Sequence, residues 1–160
     1  MNLLIHKTYD LIMSKKFKEA VKQEKFKNSQ AEAALNIIYT ANWLDDVIRC
    51  RLKSHGISPK QYNVLRILKG RHPKAYALQQ IQCRMLTRWS NASRLVEKLK
   101  KKGYLTRQPM ETNRRKVEIK ITEKGLALIA ELEQCTAAAN LFEDALPSHK
   151  ARQLSDLLDE

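Results

Sequence analysis

Cysteine, glycine and long apolar runs are all scarce in this sequence of 160 residues. The three cysteines are far apart and show no Cys-x-x-Cys or Cys/His ligand spacing, which argues against a disulfide framework and a zinc site. The four glycines form no phosphate-binding loop, and the four histidines stand singly, without a Ser/His/Asp set. We therefore predict no enzyme activity, no catalytic residues, no metal site and no cofactor.

Apolar runs long enough for a signal peptide or a membrane span are also missing. Charged residues recur even in the apolar N-terminus, residues 1–13. Together with the cysteine pattern, this predicts a soluble protein of the reducing cytoplasm that has no membrane partner. A chain of this length makes one ordinary domain, or one domain with extensions, and can bury a core.

Acidic residues are scarce in the middle of the chain. The whole sequence has 30 Lys/Arg against 17 Asp/Glu, a net charge of +13 and a pI near 9.8. Residues 84–124 carry 13 basic against 4 acidic residues, whereas residues 125–160 carry 2 against 7. Because the positive excess coincides with a predicted helix and hairpin, we favour double-stranded DNA as the partner over a merely solubilising surface.

Residues 87–122 combine a basic amphipathic helix with a two-stranded ribbon. The helix has one apolar stripe, made by Ala92, Leu95, Val96 and Leu99, and Gly103 supplies its stop. A strand over residues 116–121 follows, because apolar and charged residues alternate there. A shorter strand over residues 104–108 precedes it, and residues 109–115 form the polar tip. This order predicts a winged helix-turn-helix.

The flanking helices begin at recognisable caps. Ser29 with Glu32 and Ser58 with Gln61 form capping boxes, the second with proline at the first helical position. They predict helices that run to about residue 53 and to Gly70. A short helix then starts near residue 77, and we take Thr87 as the N-cap of the basic helix. Thr122 caps a long helix through about residue 144, and a last helix opens at residues 147–148.

The long helices carry apolar residues at heptad-like spacing, which suits packing along another long helix. These positions are predicted to form a dimer interface: Ile37, Ala41, Leu44, Leu128, Leu132, Cys135, Phe142, Leu154 and Leu157. For the first long helix, a core helix of a single subunit explains the pattern nearly as well.

Three motifs resemble the MarR family of bacterial transcription regulators: SPKQYNVLRIL, SNASRLVEKLKKKGYLTR and NRRKVEIKITEKG. The resemblance covers about residues 30–160. It implies a mostly α fold (an α+β winged helix) whose N- and C-terminal helices form a dimerisation domain. It also implies a homodimer that binds a palindromic operator, by family habit as a repressor. Asn113 departs from the family, which commonly has aspartate there, and leaves the wing more positive.

The corresponding domains are a helical N-terminal extension over residues 1–28, a helical dimerisation region over residues 29–56 and 123–160, and a winged helix-turn-helix over residues 57–122. Within the winged part, side chains near the N-terminal end of the recognition helix and at the wing tip are the candidates for DNA contacts. They are Thr87, Arg88, Ser90, Asn91, Ser93, Arg94, Lys98, Arg114, Arg115 and Lys116. Arginine can pair with guanine and asparagine with adenine, whereas a phosphate contact is an equal alternative for Arg94.

Regulation by a small aromatic ligand or by oxidation is the second property considered. The family resemblance implies a ligand cleft, and its candidate lining residues are Tyr39, Trp43, His55, Tyr62 and Arg66. Each also suits an ordinary core or surface position. Arg49 and Arg51 flank Cys50, and a reactive thiol needs an electropositive, accessible site, but a buried inert thiol is the simpler interpretation.

A winged-helix module that binds protein and leaves DNA alone is the competing class of function. Such a module would be expected to lose the arginines of the recognition helix and wing, and this chain keeps Arg88, Arg94, Arg114 and Arg115. Non-specific nucleic-acid binding is a third possibility, since charge alone supplies it.

Arg115→Ala should weaken binding to all DNA sequences alike, because an arginine at the wing tip contacts backbone or minor groove rather than a major-groove base edge. The slope of log affinity against log salt should fall by about one phosphate contact. Affinities measured over a salt series test this, and an unchanged slope would contradict the assignment.

Overall fold

The computed structural model describes residues 16–87, 91–110, 113–136 and 146–160, and the side chains of residues 110, 113–116 and 134–136 fall outside this description. The chain divides into two compact units, one up to Cys50 and one from Arg51 onward. Within the described ranges, no helix has the length and apolar character needed to cross a membrane.

The first unit contains a short helix, α1 (Phe17–Val21), and most of the long helix α2 (Ser29–Lys53). The ring of Phe17 lies 5.7 Å from the ring of Phe26 and 5.7 Å from that of Tyr39, between centroids. Lys18 forms an ion pair with Glu32 at 3.0 Å. The segment before α2 therefore folds back along the first turns of α2. Residues 1–15 of the predicted extension lie outside the described residues.

The second unit is a winged helix. Its elements are α3 (Pro59–Lys69), β1 (Tyr76–Ala77), α4 (Leu78–Arg84), α5 (Ala92–Lys101), β2 (Leu105–Met110), β3 (Asn113–Ile121), α6 (Glu123–Thr136) and α7 (Ser148–Asp159). The three strands form an antiparallel sheet in the order β1–β3–β2. Helix α3 packs on α4, α5, α6 and β3, and so forms the centre of this unit.

Local capping chemistry explains where several helices begin. The Ser58 hydroxyl accepts the Gln61 N–H at 3.3 Å, and the Gln61 side chain accepts the Ser58 N–H at 2.9 Å. The predicted capping box at α3 is therefore confirmed. The Thr122 hydroxyl likewise accepts the Gly125 N–H at 3.2 Å, as expected for the cap of α6. The predicted continuation of α6 to residue 144 lies beyond the described residues.

Two predicted N-caps were wrong, and a nearby asparagine caps the helix in each case. The Asn28 side chain accepts the Ala31 N–H at 2.8 Å, so Asn28, rather than Ser29, caps α2. The Asn91 side chain accepts the Arg94 N–H at 3.0 Å and starts α5 there, so Thr87 is not its cap. Asparagine is as good an N-cap as serine and a better one than threonine.

The core of the second unit joins the apolar faces of its helices and sheet. Its fully buried members are Leu52, Val64, Leu65, Leu68, Ile81, Val96, Leu99, Leu105, Ile119, Ile129 and Leu132. Leu128 is also buried, at 8% exposure. The predicted interface residues Leu128 and Leu132 thus have their side chains in the core of their own chain, which corrects their assignment to a partner-facing seam. Cys135 and Phe142 fall outside the described side chains.

The wing has longer strands than predicted. Its register pairs Leu105 with Ile121 and Arg107 with Ile119, and a shift in register follows Pro109. Strand β2 extends to Met110 and β3 begins at Asn113, so the polar tip is shorter than residues 109–115. The small strand β1 was not predicted. It pairs Tyr76 with Ile119 and closes the other edge of β3.

The start of α6 fits tightly against the start of β2. The Tyr104 carbonyl accepts the Thr122 N–H at 3.1 Å, and the Thr122 hydroxyl donates to the Gly103 carbonyl at 2.8 Å. A Cβ on Gly125 would lie 2.2 Å from the Tyr104 carbonyl oxygen and 2.7 Å from Ile121 Cγ1. Residue 125 therefore has no room for a side chain.

Gly125→Ala should destabilise the protein by about 1–3 kcal/mol, because the new methyl group collides with backbone that cannot move without breaking the junction. The free energy of unfolding in urea measures this. Gly70→Ala is the matched control, since its Cβ would meet nothing closer than 3.6 Å among the described residues and its backbone is helical at φ −62°. Equal stability of the two variants would contradict the tight fit at Gly125.

Candidate nucleic-acid interface

Helix α5 separates its apolar and cationic side chains onto opposite faces. Ala92, Val96 and Leu99 are buried against the core. The outer face is polar and exposed, and with a neighbouring strand residue it lines an open groove of about 610 Å³. The groove residues are Asn91, Ser93, Arg94, Glu97, Lys98, Lys101 and Arg107. An open groove lined mainly by polar and cationic side chains suits an extended anion better than a small enclosed ligand.

The side chain of Asn91 caps the N-terminal end of α5. Since the Asn91 amide oxygen accepts the Arg94 N–H, that oxygen is engaged in capping, and the NH₂ group is the part of Asn91 left to contact a ligand. Ser93 and Arg94 follow on the first turn, and both are exposed. Lys98 continues the same face one turn later. Ser93, Arg94 and Lys98 therefore lie together on one accessible surface.

One carboxylate interrupts this cationic face. Glu97 faces the guanidinium of Arg107 in β2, with 3.5 Å between Glu97 Oε2 and Arg107 Nη1. Both side chains are about one-third to two-fifths exposed, at 42% for Glu97 and 33% for Arg107. The pair joins the middle of α5 to the first strand of the wing, and it lowers the positive charge of the groove.

Lysines secure the other end of α5. The ammonium of Lys102 donates to the carbonyl of Gly56, and that of Lys124 donates to the carbonyl of Lys102 at 3.0 Å. Gly103, at φ +77°, gives the left-handed turn that leads from the helix into β2. Cations at a helix C-terminus are favourable because they complement the partial negative charge of its free carbonyls.

Of the remaining predicted DNA contacts, Thr87 is described in full and the three wing residues by their backbone. Thr87 is exposed, in the connection between α4 and α5. Arg88 and Ser90 lie outside the described residues. The backbone of Arg114, Arg115 and Lys116 runs in β3 at the tip end of the wing, and their side chains lie outside the description.

The predicted ligand-pocket residues fall in both units. Tyr39 and Trp43 belong to the first unit, whereas His55, Tyr62 and Arg66 belong to the second. The Tyr62 hydroxyl is buried and has no hydrogen-bond partner among the described residues, and the Arg66 guanidinium lies 6.0 Å from the Tyr62 ring centroid. His55 Nδ1 is 3.8 Å from Glu131 Oε1.

The cysteines and potential metal ligands offer little chemistry of their own. Cys50 is half-buried and Cys83 is exposed, and both are free thiols. Arg49, one of the arginines beside Cys50, pairs with Asp45. Among the described side chains, no three His, Cys, Asp or Glu residues are grouped so that they could hold a metal ion.

Sequence reasoning missed several residues that the fold brings together. Glu97 and Arg107 lie on either side of the turn at Gly103, and their opposite charges were an available signal. The Tyr76 ring has the guanidinium groups of Arg71 and Arg84 at 4.8 Å and 5.2 Å from its centroid. No local pattern marks that second cluster, because it depends on the pairing of β1 with β3.

Comparison with known proteins finds a family model that matches the central part of the chain. Residues 57–117 match the model of the MarR family. A Bacillus subtilis relative, the uncharacterised HTH-type transcriptional regulator YkoM, is 36% identical over 73 residues, which are 46% of each chain. The chain thus spans about half the length of this curated relative. The relative is named as a transcription regulator and not as an enzyme.

Solved structures share the fold over most of the chain. The MarR transcription factor from Planctomyces limnophilus has a TM-score of 0.64 and 28% identity, and the match covers 84% of this chain and 96% of that one. A mutant of Escherichia coli MarR, solved in complex with operator DNA, has a TM-score of 0.70 and 19% identity over 85% and 97% of the two chains. The winged-helix fold predicted from the sequence is confirmed.

Glu97→Gln should strengthen binding to duplex DNA, because it removes the carboxylate from the cationic groove and releases Arg107. The folding free energy should change by less than about 1 kcal/mol, since partly exposed ion pairs contribute little. Fluorescence anisotropy with labelled DNA measures the affinity. Glu131→Gln removes the same charge from α6 and is the control. Equal gains in both variants would show a general charge effect instead of a local one.

Proposed function

We propose that this chain, whose residues 57–117 match the MarR family model, belongs to that family and is a sequence-specific DNA-binding transcription regulator. In this proposal it acts in the cytoplasm as a homodimer on a palindromic operator, and its effect on transcription is repression. Helix α5 enters the major groove, and the wing reaches the adjacent minor groove.

The exposed cationic face of α5 carries this proposal. Arg94 and Lys98 lie one turn apart on the surface, and Glu97 is the one acidic residue among the described residues that line their groove. Because Glu97 is engaged with Arg107, Arg94 and Lys98 keep their charge available to an external anion. The N-terminal position of Ser93 and Arg94 is the part of a recognition helix that usually meets base edges.

The complex of E. coli MarR with operator DNA supports duplex DNA as the partner. That protein has the same fold, and its identity to this chain is too low to transfer individual contacts. We therefore assign the roles from this chain's own residues. Arg94 contacts a guanine edge or a phosphate, Lys98 a phosphate, and Arg114 and Arg115 the minor groove or its edges.

Homodimerisation is supported by exposed apolar side chains on the long terminal helices. On α2, Leu35, Ile37 and Ile38 are 45–56% exposed. On α7, Leu154, Leu157 and Leu158 are 48–67% exposed. The α7 residues share one face at i, i+3 and i+4, and large apolar groups that stay in water favour a protein partner. A second copy of the chain would be such a partner and would supply the second half-site contact.

Control by a small aromatic ligand is supported by Tyr62. Its hydroxyl is buried without a hydrogen-bond partner in the described part of the chain, which is an unfavourable state that a polar ligand atom would relieve. Arg66, beside the same ring, would attract an anionic group. For oxidative control, exposed Cys83 is the more accessible thiol and half-buried Cys50 has the arginine neighbours, so neither combines both requirements.

Selection of duplexes from a random DNA pool tests the proposal. We expect enrichment of a palindrome whose half-site centres are about one helical turn apart, because dimeric helix-turn-helix proteins place two recognition helices at that spacing. Arg94→Ala should lose base preference within each half-site, or lose affinity uniformly if its contact is a phosphate.

A Leu154→Glu/Leu157→Glu variant separates dimerisation from DNA recognition. Sedimentation should show monomers, and the selected DNA should reduce to single half-sites. Binding without sequence enrichment would replace the regulator with a non-specific DNA-binding protein. Failure of the wild-type dimer to bind any duplex would favour the protein-interaction module.

A further inference from the structure

A second cationic cluster lies outside the recognition helix and the wing, and it is built on a tyrosine. The Tyr76 ring has the Arg71 guanidinium at 4.8 Å and the Arg84 guanidinium at 5.2 Å from its centroid. Attraction between a guanidinium and an aromatic ring holds the cation in place while its N–H edge stays available for hydrogen bonds. We call Arg71, Tyr76 and Arg84 the arginine–tyrosine cluster.

Secondary structure fixes the tyrosine at the centre of this cluster. Tyr76 is 8% exposed and pairs with buried Ile119 across the β1–β3 ladder. Arg71 follows α3 in a turn in which its carbonyl accepts the Lys74 N–H at 2.9 Å. Arg84 ends α4 and gives one side-chain N–H to the Gln80 carbonyl at 3.3 Å. Three separate elements therefore converge to hold two like charges around one ring.

Within the described part of the chain, no carboxylate balances these charges, because neither the Arg71 nor the Arg84 side chain forms an ion pair there. The carboxylate next along the strand belongs to Glu118, which is paired with Ala77 in the ladder, so it points to the opposite face from Tyr76. Glu118 has Lys120 as its partner, at 3.7 Å. Two preoriented guanidiniums that lack a carboxylate make a site for an external anion.

The spacing suits a chain of phosphates. Because the two guanidinium carbons lie 4.8 Å and 5.2 Å from one point, they are at most about 10 Å apart, the sum of the two distances. Phosphates of one DNA strand rise by about 3.4 Å per nucleotide along the helix axis and are also displaced around it, so two neighbouring phosphates fit within this upper limit. In helix-turn-helix proteins the first helix crosses the DNA backbone, and Arg84 lies at the end of that helix, α4.

We propose that Arg71 and Arg84, oriented by Tyr76, clamp successive phosphates of one DNA strand beside the recognition helix. This inference rests on the proposed function and extends its footprint to a part of the fold that precedes α5. The clamp adds affinity and fixes the position of the protein on the duplex, and it does not read sequence.

The salt dependence of binding to the selected operator tests the clamp. For the Arg71→Ala/Arg84→Ala variant, we expect the slope of log affinity against log salt to fall by about two, at about 0.9 for each phosphate contact. The preference among operator sequences should not change. Lys150→Ala/Arg152→Ala is the matched control, because it removes the same two charges from exposed positions on α7.

Neutral methylphosphonate linkages, placed one at a time in the operator, locate the contact. A linkage at a clamped phosphate should weaken wild-type binding and have no effect on the Arg71/Arg84 double variant. Tyr76→Leu, which keeps both charges, should also lose this position-specific effect, and Tyr76→Phe should restore it. Circular dichroism on melting should show that the Tyr76 variants are folded at the assay temperature.

Three outcomes would overturn the clamp. An unchanged salt slope and linkage pattern in the Arg71/Arg84 variant, with wild-type binding intact, would reject the clamp and leave the regulator standing. Equal loss in the α7 control would reduce the effect to net charge. If the wild-type protein bound no duplex at all, the proposed function and the clamp would both fail.

Discussion

The relative placement of α5, the wing and α6 depends on the hydrogen bonds of the Tyr104 backbone. Its carbonyl accepts the Thr122 N–H at 3.1 Å, and its N–H donates to the carbonyl of Leu99 at 3.1 Å. The backbone N–H of Tyr104 thus connects the start of β2 to the end of α5, and its carbonyl connects the start of β2 to the start of α6. Gly125 permits this approach because a side chain there would occupy the position of the Tyr104 oxygen. The angle between α5 and the wing is therefore set by backbone contacts, which side-chain substitution on the outer surface leaves intact.

Local chemistry predicted most of the helices of the second unit. The Ser58–Gln61 capping box and the apolar stripe of α5 each involve residues within about two turns, so the sequence alone carries the signal. Two N-cap predictions failed because another capping residue lay nearby, Asn28 beside Ser29 and Asn91 after Thr87. Prediction also failed where the determinant is distant, since β1 is two residues long and exists because Ile119 pairs with Tyr76.

The heptad-like pattern of α6 shows a different limit of sequence reasoning. Apolar spacing identifies the face of a helix that leaves water, and it does not identify whether its own chain or another covers that face. Leu128 and Leu132 satisfy the pattern by packing in their own core, whereas Ile37 and Leu157 keep about half or more of their surface exposed. The candidate DNA-binding site was likewise predicted only in part. The exposed face of α5 was visible in the sequence, but the Glu97–Arg107 pair and the arginine–tyrosine cluster required the tertiary fold.

The charges on α5 suit the proposed contact with DNA better than they suit the stability of the helix. Arg94 and Lys98 are like charges four residues apart, a spacing that costs roughly 0.2–0.5 kcal/mol in an isolated helix. The first turn has no acidic residue to complement the helix dipole, and it carries Arg94 instead. Lysines in the last turn, with Lys102 bonded to Gly56, offset part of this cost at the other end. Since exposed ion pairs add at most about 1 kcal/mol, keeping the outer face positive loses little stability. In the proposed complex, DNA phosphates would attract the positive charges of this face, so an arrangement that is slightly unfavourable in the free protein would become favourable.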